Sequence, residues 1–165
     1  MNLQPPSLTD RLFRHMAWAN SYVFDQMAQL SESELLLSAP KDDWSAAAIL
    51  EHLIPPGYAH RLDGLGRVET FIPKNSREVI ALKEISSALD ARLRESAKTP
   101  DGFIEYTSDG KVIRRARQTV LAQSIHHATE HRAQIAGIYA SHGMKIIDLD
   151  SIDLWAFADY EGLGD

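Results

Sequence analysis

The sequence predicts an all-α chain: a four-helix bundle with a small β-hairpin before its fourth long helix. Three observations lead there. Four segments repeat apolar residues at steps of three and four, the spacing that lines one face of a helix. Serines stand where three of those segments begin, and Gly143 stands where the fourth ends, matching the usual start and stop residues of helices. Asp109-Gly110 separates two β-prone runs, a hairpin signal. With 165 residues, the chain is long enough to bury a sizeable core, and residues 1–165 are read as a single domain.

Helix 1 is expected to open at Ser7-Leu8-Thr9-Asp10, a Ser followed three residues later by an acid. It then buries Leu12, Met16, Ala19, Val23, Met27 and Leu30. His15 is expected at the surface. Residues 31–43 read as a polar connection with one short turn of helix around Leu35-Leu36-Leu37. Helix 2 should start at the N-cap Ser45, with Trp44 as a hydrophobic staple and three alanines behind it. Ile49, His52 and Leu53 are expected to share its inward face. Pro55-Pro56-Gly57 should break it after His52, with helix resuming from Tyr58 to Leu65. Ser76 is expected to cap helix 3, which runs to about Lys98 and buries Val79, Leu82, Ile85, Leu89 and Leu93. Phe103–Tyr106 and Lys111–Arg114 should form the hairpin around Thr107-Ser108-Asp109-Gly110. Helix 4 is expected from Thr119 to His142. Its inward stripe would be Val120, Ser124, His127, His131, Gln134 and Ile138. The tail, with Leu149, Ile152, Leu154, Trp155 and Phe157, should pack back as a short helix or clamp.

Composition narrows the function. Hydrophobic residues make up 44% of the chain, which suits a folded protein and not a disordered one. A formal charge of −6 argues against nucleic-acid binding, which needs clustered Lys and Arg. No apolar run is long enough to span a bilayer, and the start at Met1 lacks the regions of a signal peptide, so a cytoplasmic location without membrane contact is expected. The absence of cysteine removes disulfides, Cys-ligated metals and a protein thiol nucleophile. Any metal must be held by His, Asp or Glu, and any thiol must come from outside.

Three histidines fall within Ser124–Ile135. His127 and His131 are four apart on the expected inward stripe, so two imidazoles can converge on one point. His126 is rotated away from them. Two buried neutral rings need partners for their nitrogens, and a metal ion satisfies one nitrogen of each. A catalytic metal site commonly has three protein ligands and one open position. His52 is the best third ligand by face. His60 would serve only if the proline break turns the chain back, and His142 is too far along helix 4. His127-Ala128-Thr129-Glu130-His131 also matches the H-x-x-E-H string of inverzincin proteases. The chain after His131 is too short for a further acidic ligand and a peptide cleft. Tyr58, Trp18 and Trp44 are candidate pocket walls, with core packing as the plainer role, and Arg132 either pairs with an acid or faces solvent.

Trp18-Ala19-Asn20, Leu50-Glu51-His52-Leu53, and His127-Ala128-Thr129-Glu130-His131-Arg132-Ala133-Gln134 together carry a resemblance. The chain resembles the DinB superfamily, including its YfiT-like metal-dependent members, over nearly its whole length. The hairpin and the tail's Asp153-Leu154-Trp155 fit the same pattern. Two positions depart from it: Ala133 stands where Gly is frequent, and Pro55-Pro56 follows His52 directly. The resemblance implies a bacterial protein with one divalent metal on His52, His127 and His131, zinc or nickel before iron, and a homodimer. Some members are transferases or isomerases that use a low-molecular-weight thiol. A small-thiol-dependent S-transferase acting on a small-molecule substrate is therefore the first expectation. A metal-dependent hydrolase and a non-catalytic, stress-linked metal binder are the alternatives.

Overall fold

The computed structural model describes residues 6–54 and 56–164. The start at Met1 and the conformation of Pro55 lie outside the described residues. Helix α1 (Leu8–Met27) opens where Ser7 accepts a hydrogen bond from the Asp10 N–H at 3.2 Å, as the sequence predicts. It buries Phe13, Met16, Ala19, Val23, Phe24 and Met27. Helix α2 (Glu32–Leu35) is the expected short turn, closed by a reciprocal capping box between Ser31 and Glu34. Leu35 is buried there while Leu36 is exposed.

Helix α3 (Ala46–His52) starts at Ser45, whose Oγ accepts from the Ala48 N–H at 3.2 Å. The expected break follows. Helix α4 (Pro56–Asp63) resumes two residues before the expected Tyr58, because proline has no N–H to lose in a first turn. Helix α5 (Ser76–Ser96) is capped by Asn75 and not by Ser76. The Asn75 backbone is extended and its Oδ1 accepts from the Glu78 N–H at 3.0 Å, so Ser76 becomes the first helical residue. Val79, Leu82, Leu89 and Leu93 are buried as expected, while Ile85 is half-buried.

Strands β1 (Phe103–Ser108) and β2 (Lys111–Ala116) pair antiparallel, with Ser108 opposite Lys111. Thr107 and Ser108 thus extend β1, and the turn is Asp109-Gly110 alone. Both turn residues have positive φ, 50° and 73°, the type I′ form that matches strand twist. Helix α6 (Arg117–Ser141) follows β2 without a break. It ends in a Schellman motif: Met144 N–H bonds Tyr139 O at 2.9 Å, Gly143 N–H bonds Ala140 O at 3.0 Å, and Gly143 sits at φ 72°. A 3-10 turn (Asp150–Ile152) and helix α7 (Leu154–Tyr160) close the tail. Ile152 and Phe157 are buried, but Trp155 is 82% exposed. Asp153 caps α7 and turns Trp155, the second residue of a short helix, away from the core.

The long helices α1 and α5 pack on each other, and α6 lies against α1. Helix α3 packs on α6, and α4 lies against both α5 and α6. The chain is thus mostly helical with one small two-stranded sheet, in line with the all-α expectation. Buried Arg117 joins three element ends: Nη1 donates to Leu62 O at 3.0 Å and Nη2 to Ser96 O at 2.8 Å. No helix among the described residues is long and apolar enough to cross a membrane.

Candidate metal centre

The last turn of α3 and the middle of α6 meet. His52 ends α3, and α6 presents His127 and His131 one turn apart. One candidate ligand atom from each ring lies within 4.8 Å of the other two. The ring centroids are 5.1 Å apart for His52 and His127, 4.9 Å for His52 and His131, and 4.3 Å for His127 and His131. The rings are graded by depth: His131 is buried, His127 half-buried and His52 exposed. His52 therefore does not face the core as expected. The buried face of α3 runs through Ala46, Ile49, Leu50 and Leu53, and His52 lies on its flank, where the helix stops. The cluster consequently opens to the surface on the His52 side.

The hydrogen bonds around the rings decide which nitrogens remain free. His127 Nε2 lies 2.8 Å from the carbonyl oxygen of His52. A carbonyl only accepts, so Nε2 carries the proton and Nδ1 keeps the lone pair. His131 Nδ1 donates to Gln134 Oε1 at 2.6 Å, which leaves its Nε2 with the lone pair. Acceptors of this kind fix the tautomer of metal-binding imidazoles. Burial lowers the pKa of His127 below the ordinary histidine value, against the opposing bond to the His52 carbonyl. Burial and then the nearby His131 lower that of His52. Both rings are therefore held in the neutral form that can donate to a metal. The donor set is three imidazole nitrogens, which suits zinc, nickel, iron and copper.

Two aromatic rings wall the cluster edge-on. Trp44 meets His52 at 4.9 Å and Tyr58 meets His127 at 5.5 Å. Trp18 does not join them: it packs with Phe157 and Tyr160 of the tail, at 5.3 and 5.4 Å. In front of His52 and His127 lies a cleft of about 300 Å³ bordered by Glu51, Tyr58, Arg61, Arg67 and Thr70.

The other histidines stand apart. His126 is exposed. His60 bonds the Leu65 carbonyl, and His142 bonds the Ser38 carbonyl at 2.8 Å. His15 is half-buried and bonds the Ile152 carbonyl at 2.8 Å. Glu130 is exposed and, among the described residues, lies outside the three-histidine group, so the acid of the H-x-x-E-H string does not converge with its histidines. Gln134 is also exposed, against the expected inward stripe, since the core face of α6 passes through Ile135 and Ile138.

A buried polar chain runs beside the cluster; the sequence allowed Arg132 an acidic partner but not its route through Asn20 to Asp90. Arg132 is 4% exposed. Its Nη1 donates to Asn20 Oδ1 at 2.6 Å and its Nη2 to Thr129 Oγ1 at 3.0 Å. Asn20 Nδ2 donates in turn to Asp90 Oδ2 at 3.1 Å. Burial pushes the Asp90 carboxyl up to about 7 and lowers the Arg132 guanidinium to about 10. The chain ties α6 to α1 and α5 one residue from His131. Its one sequence signal was a basic residue directly after a ligand candidate. Arg61 and Arg67 gave no signal, because their place depends on how α4 and the loop after it fold back.

No curated protein and no solved structure gives a significant match to the chain. The sequence model of the DinB family matches residues 4–155, a span that holds all three histidines. The chain belongs to the DinB family.

Proposed function

We propose that His52, His127 and His131 hold one divalent transition-metal ion, zinc or nickel before iron, with a coordination position open toward the cleft. The observation that carries this reading is the convergence of three ring nitrogens, with the outer nitrogens of His127 and His131 already bonded to acceptors. With no ion between them, the inner nitrogens of the buried His131 and the half-buried His127 would have only water as a partner. We further read the helices as the family's four-helix bundle, with α3 and α4 together forming its broken second member. The protein is proposed to be cytoplasmic and homodimeric.

When bound, the metal supplies Lewis acidity at its open position and favours the deprotonated form of a thiol or of water. The chain's own residues do the rest. Gln134 and the His52 carbonyl orient the rings of His131 and His127, Trp44 packs on His52 and Tyr58 on His127, and the cleft admits a small molecule. We propose a small-thiol-dependent S-transferase, the thiol coming from solution because the chain has no cysteine. Hydrolysis is the second reading, favoured by Glu51, a carboxylate on the cleft wall that can take a proton from water.

Elemental analysis of untagged protein tests the metal. The expected result is about one ion per chain, lost in His131→Ala, and a roughly 10- to 100-fold weaker affinity in Gln134→Ala. Metal content that is low, or unchanged by His131→Ala, would overturn the reading. Turnover of a reactive electrophile only with added thiol supports the transferase, whereas turnover of an ester or amide without thiol supports the hydrolase. Silence on both panels leaves a metal binder without catalysis.

A further inference from the structure

We infer that the molecule bound in front of the histidine cluster carries an oxyanion group, a carboxylate or a phosphate, received by Arg61 and Arg67. The inference names the substrate class of the site proposed above and rests on that reading.

Arg61 lies on α4, three residues after Tyr58, so both side chains project from one face of the helix. Its guanidinium stands over the Tyr106 ring of β1 at 4.4 Å and near the Tyr58 ring at 5.9 Å. Stacking holds the plane of the guanidinium and leaves its N–H edges free. Tyr58 in turn abuts His127, so the cation is tied to the cluster through one ring. Arg67 is exposed and borders the same cleft. Both arginines also border a neighbouring cleft of about 500 Å³ on the hairpin side.

Neither guanidinium has an ion-pair partner among the described residues. Three acids close to them have other partners. Asp63, on the same helix as Arg61, is held by two bonds from Arg92, each 2.8 Å. Glu51, the one acid among the described residues of the cleft wall, takes the Thr70 hydroxyl. Glu105, on the hairpin side, faces Arg114 at 3.9 Å. Two free forks thus border the mouth of the site in a chain whose formal charge is −6. Three imidazoles are neutral ligands, so a divalent ion on them would keep its whole charge. Positive charge concentrated in a cleft of a negative protein draws and orients an anion, and the guanidinium fork matches carboxylate and phosphate alike.

The test is a calorimetric titration of the full chain, metal-free and zinc-loaded, with succinate, with inorganic phosphate and with neutral succinamide. Succinate or phosphate should bind about tenfold or more tightly than succinamide, and Arg61→Gln and Arg67→Gln should each remove most of that preference. Which anion responds distinguishes carboxylate from phosphate. Arg77→Gln, an exposed residue outside the cleft, should change nothing. Because Arg67 is exposed, its variant keeps the test valid if Arg61→Gln fails to fold. Zinc bound with anion affinity indifferent to both arginines overturns the inference and leaves the metal reading standing. Arginine-dependent anion binding without zinc uptake does the reverse. Neither behaviour overturns both.

Discussion

Asp90 is a carboxyl carried deep into the core. It is 3% exposed, one carboxyl oxygen meets Asn20, and the other has no partner. Burial raises its pKa to about 7. Above the ordinary carboxyl value near 4 and below the folded value, the folded chain keeps a proton that the unfolded chain releases. Stability linked to this group is therefore fully present at acid pH, declines as pH rises from about 4 toward 7, and stays lost above that. Asp90→Asn is neutral at every pH. Its melting temperature relative to the native chain should rise between about pH 5 and about pH 8, and thermal unfolding of both proteins at the two pH values checks this. A difference constant in pH would sink the assignment. The histidines behave in the opposite sense. Burial lowers His52 and His127, so they stay uncharged and ready to donate at neutral pH.

At the scale of elements, the short helix α3 does most to place the site. It has seven residues and ends at His52, and helices this short owe much of their order to caps and packing. Ser45 supplies its N-cap bond. Ser45→Ala should cost about 1 kcal/mol, read by denaturant unfolding, and should loosen zinc binding as well because the cap and His52 share one helix. A variant with native stability and native zinc affinity would show that packing on α6 alone holds α3. The broken α3–α4 pair also explains the departure at Pro55-Pro56. With α3 ending at His52 and α4 beginning at Pro56, the break separates His52 from Tyr58 and Arg61, so each can approach the cluster from a different side.

Across the whole molecule, the cluster joins parts of the chain that are far apart in sequence. His52 and His127 are 75 residues apart, yet one ring bonds the other's carbonyl. An ion held by both would bind the folded chain and not the unfolded one. Zinc at 100 times its dissociation constant should stabilise the fold by about 2.7 kcal/mol. Differential scanning calorimetry with zinc and with chelator checks it, and in His52→Ala the difference should largely vanish. Equal melting temperatures for the native chain under both conditions would count against a folded-state metal site. The tail is fastened by another long-range contact: Glu161 meets Arg11 at 3.1 Å and Arg14 at 2.7 Å, closing α7 over α1.

The sequence by itself determined what local physics controls. Apolar spacing placed the long helices, Ser7 and Ser45 marked two starts, Gly143 marked an end, and Asp109-Gly110 marked the hairpin turn. The same periodicity set His127 above His131, because a helix repeats every 3.6 residues wherever it lies. It also made His52 the best third candidate, though on the wrong footing, since His52 flanks the buried face of α3 instead of belonging to it. Tertiary structure alone decided what depends on how elements cross. It brought His52 to α6, buried Arg132 against Asn20 and Asp90, chose Asn75 over Ser76 as a cap, turned Trp155 outward, and set Arg61 and Arg67 beside the histidines. These outcomes rest on contacts between segments separated by tens of residues. No local pattern encodes them, because the direction a side chain finally faces is fixed by the neighbour that packs against its helix.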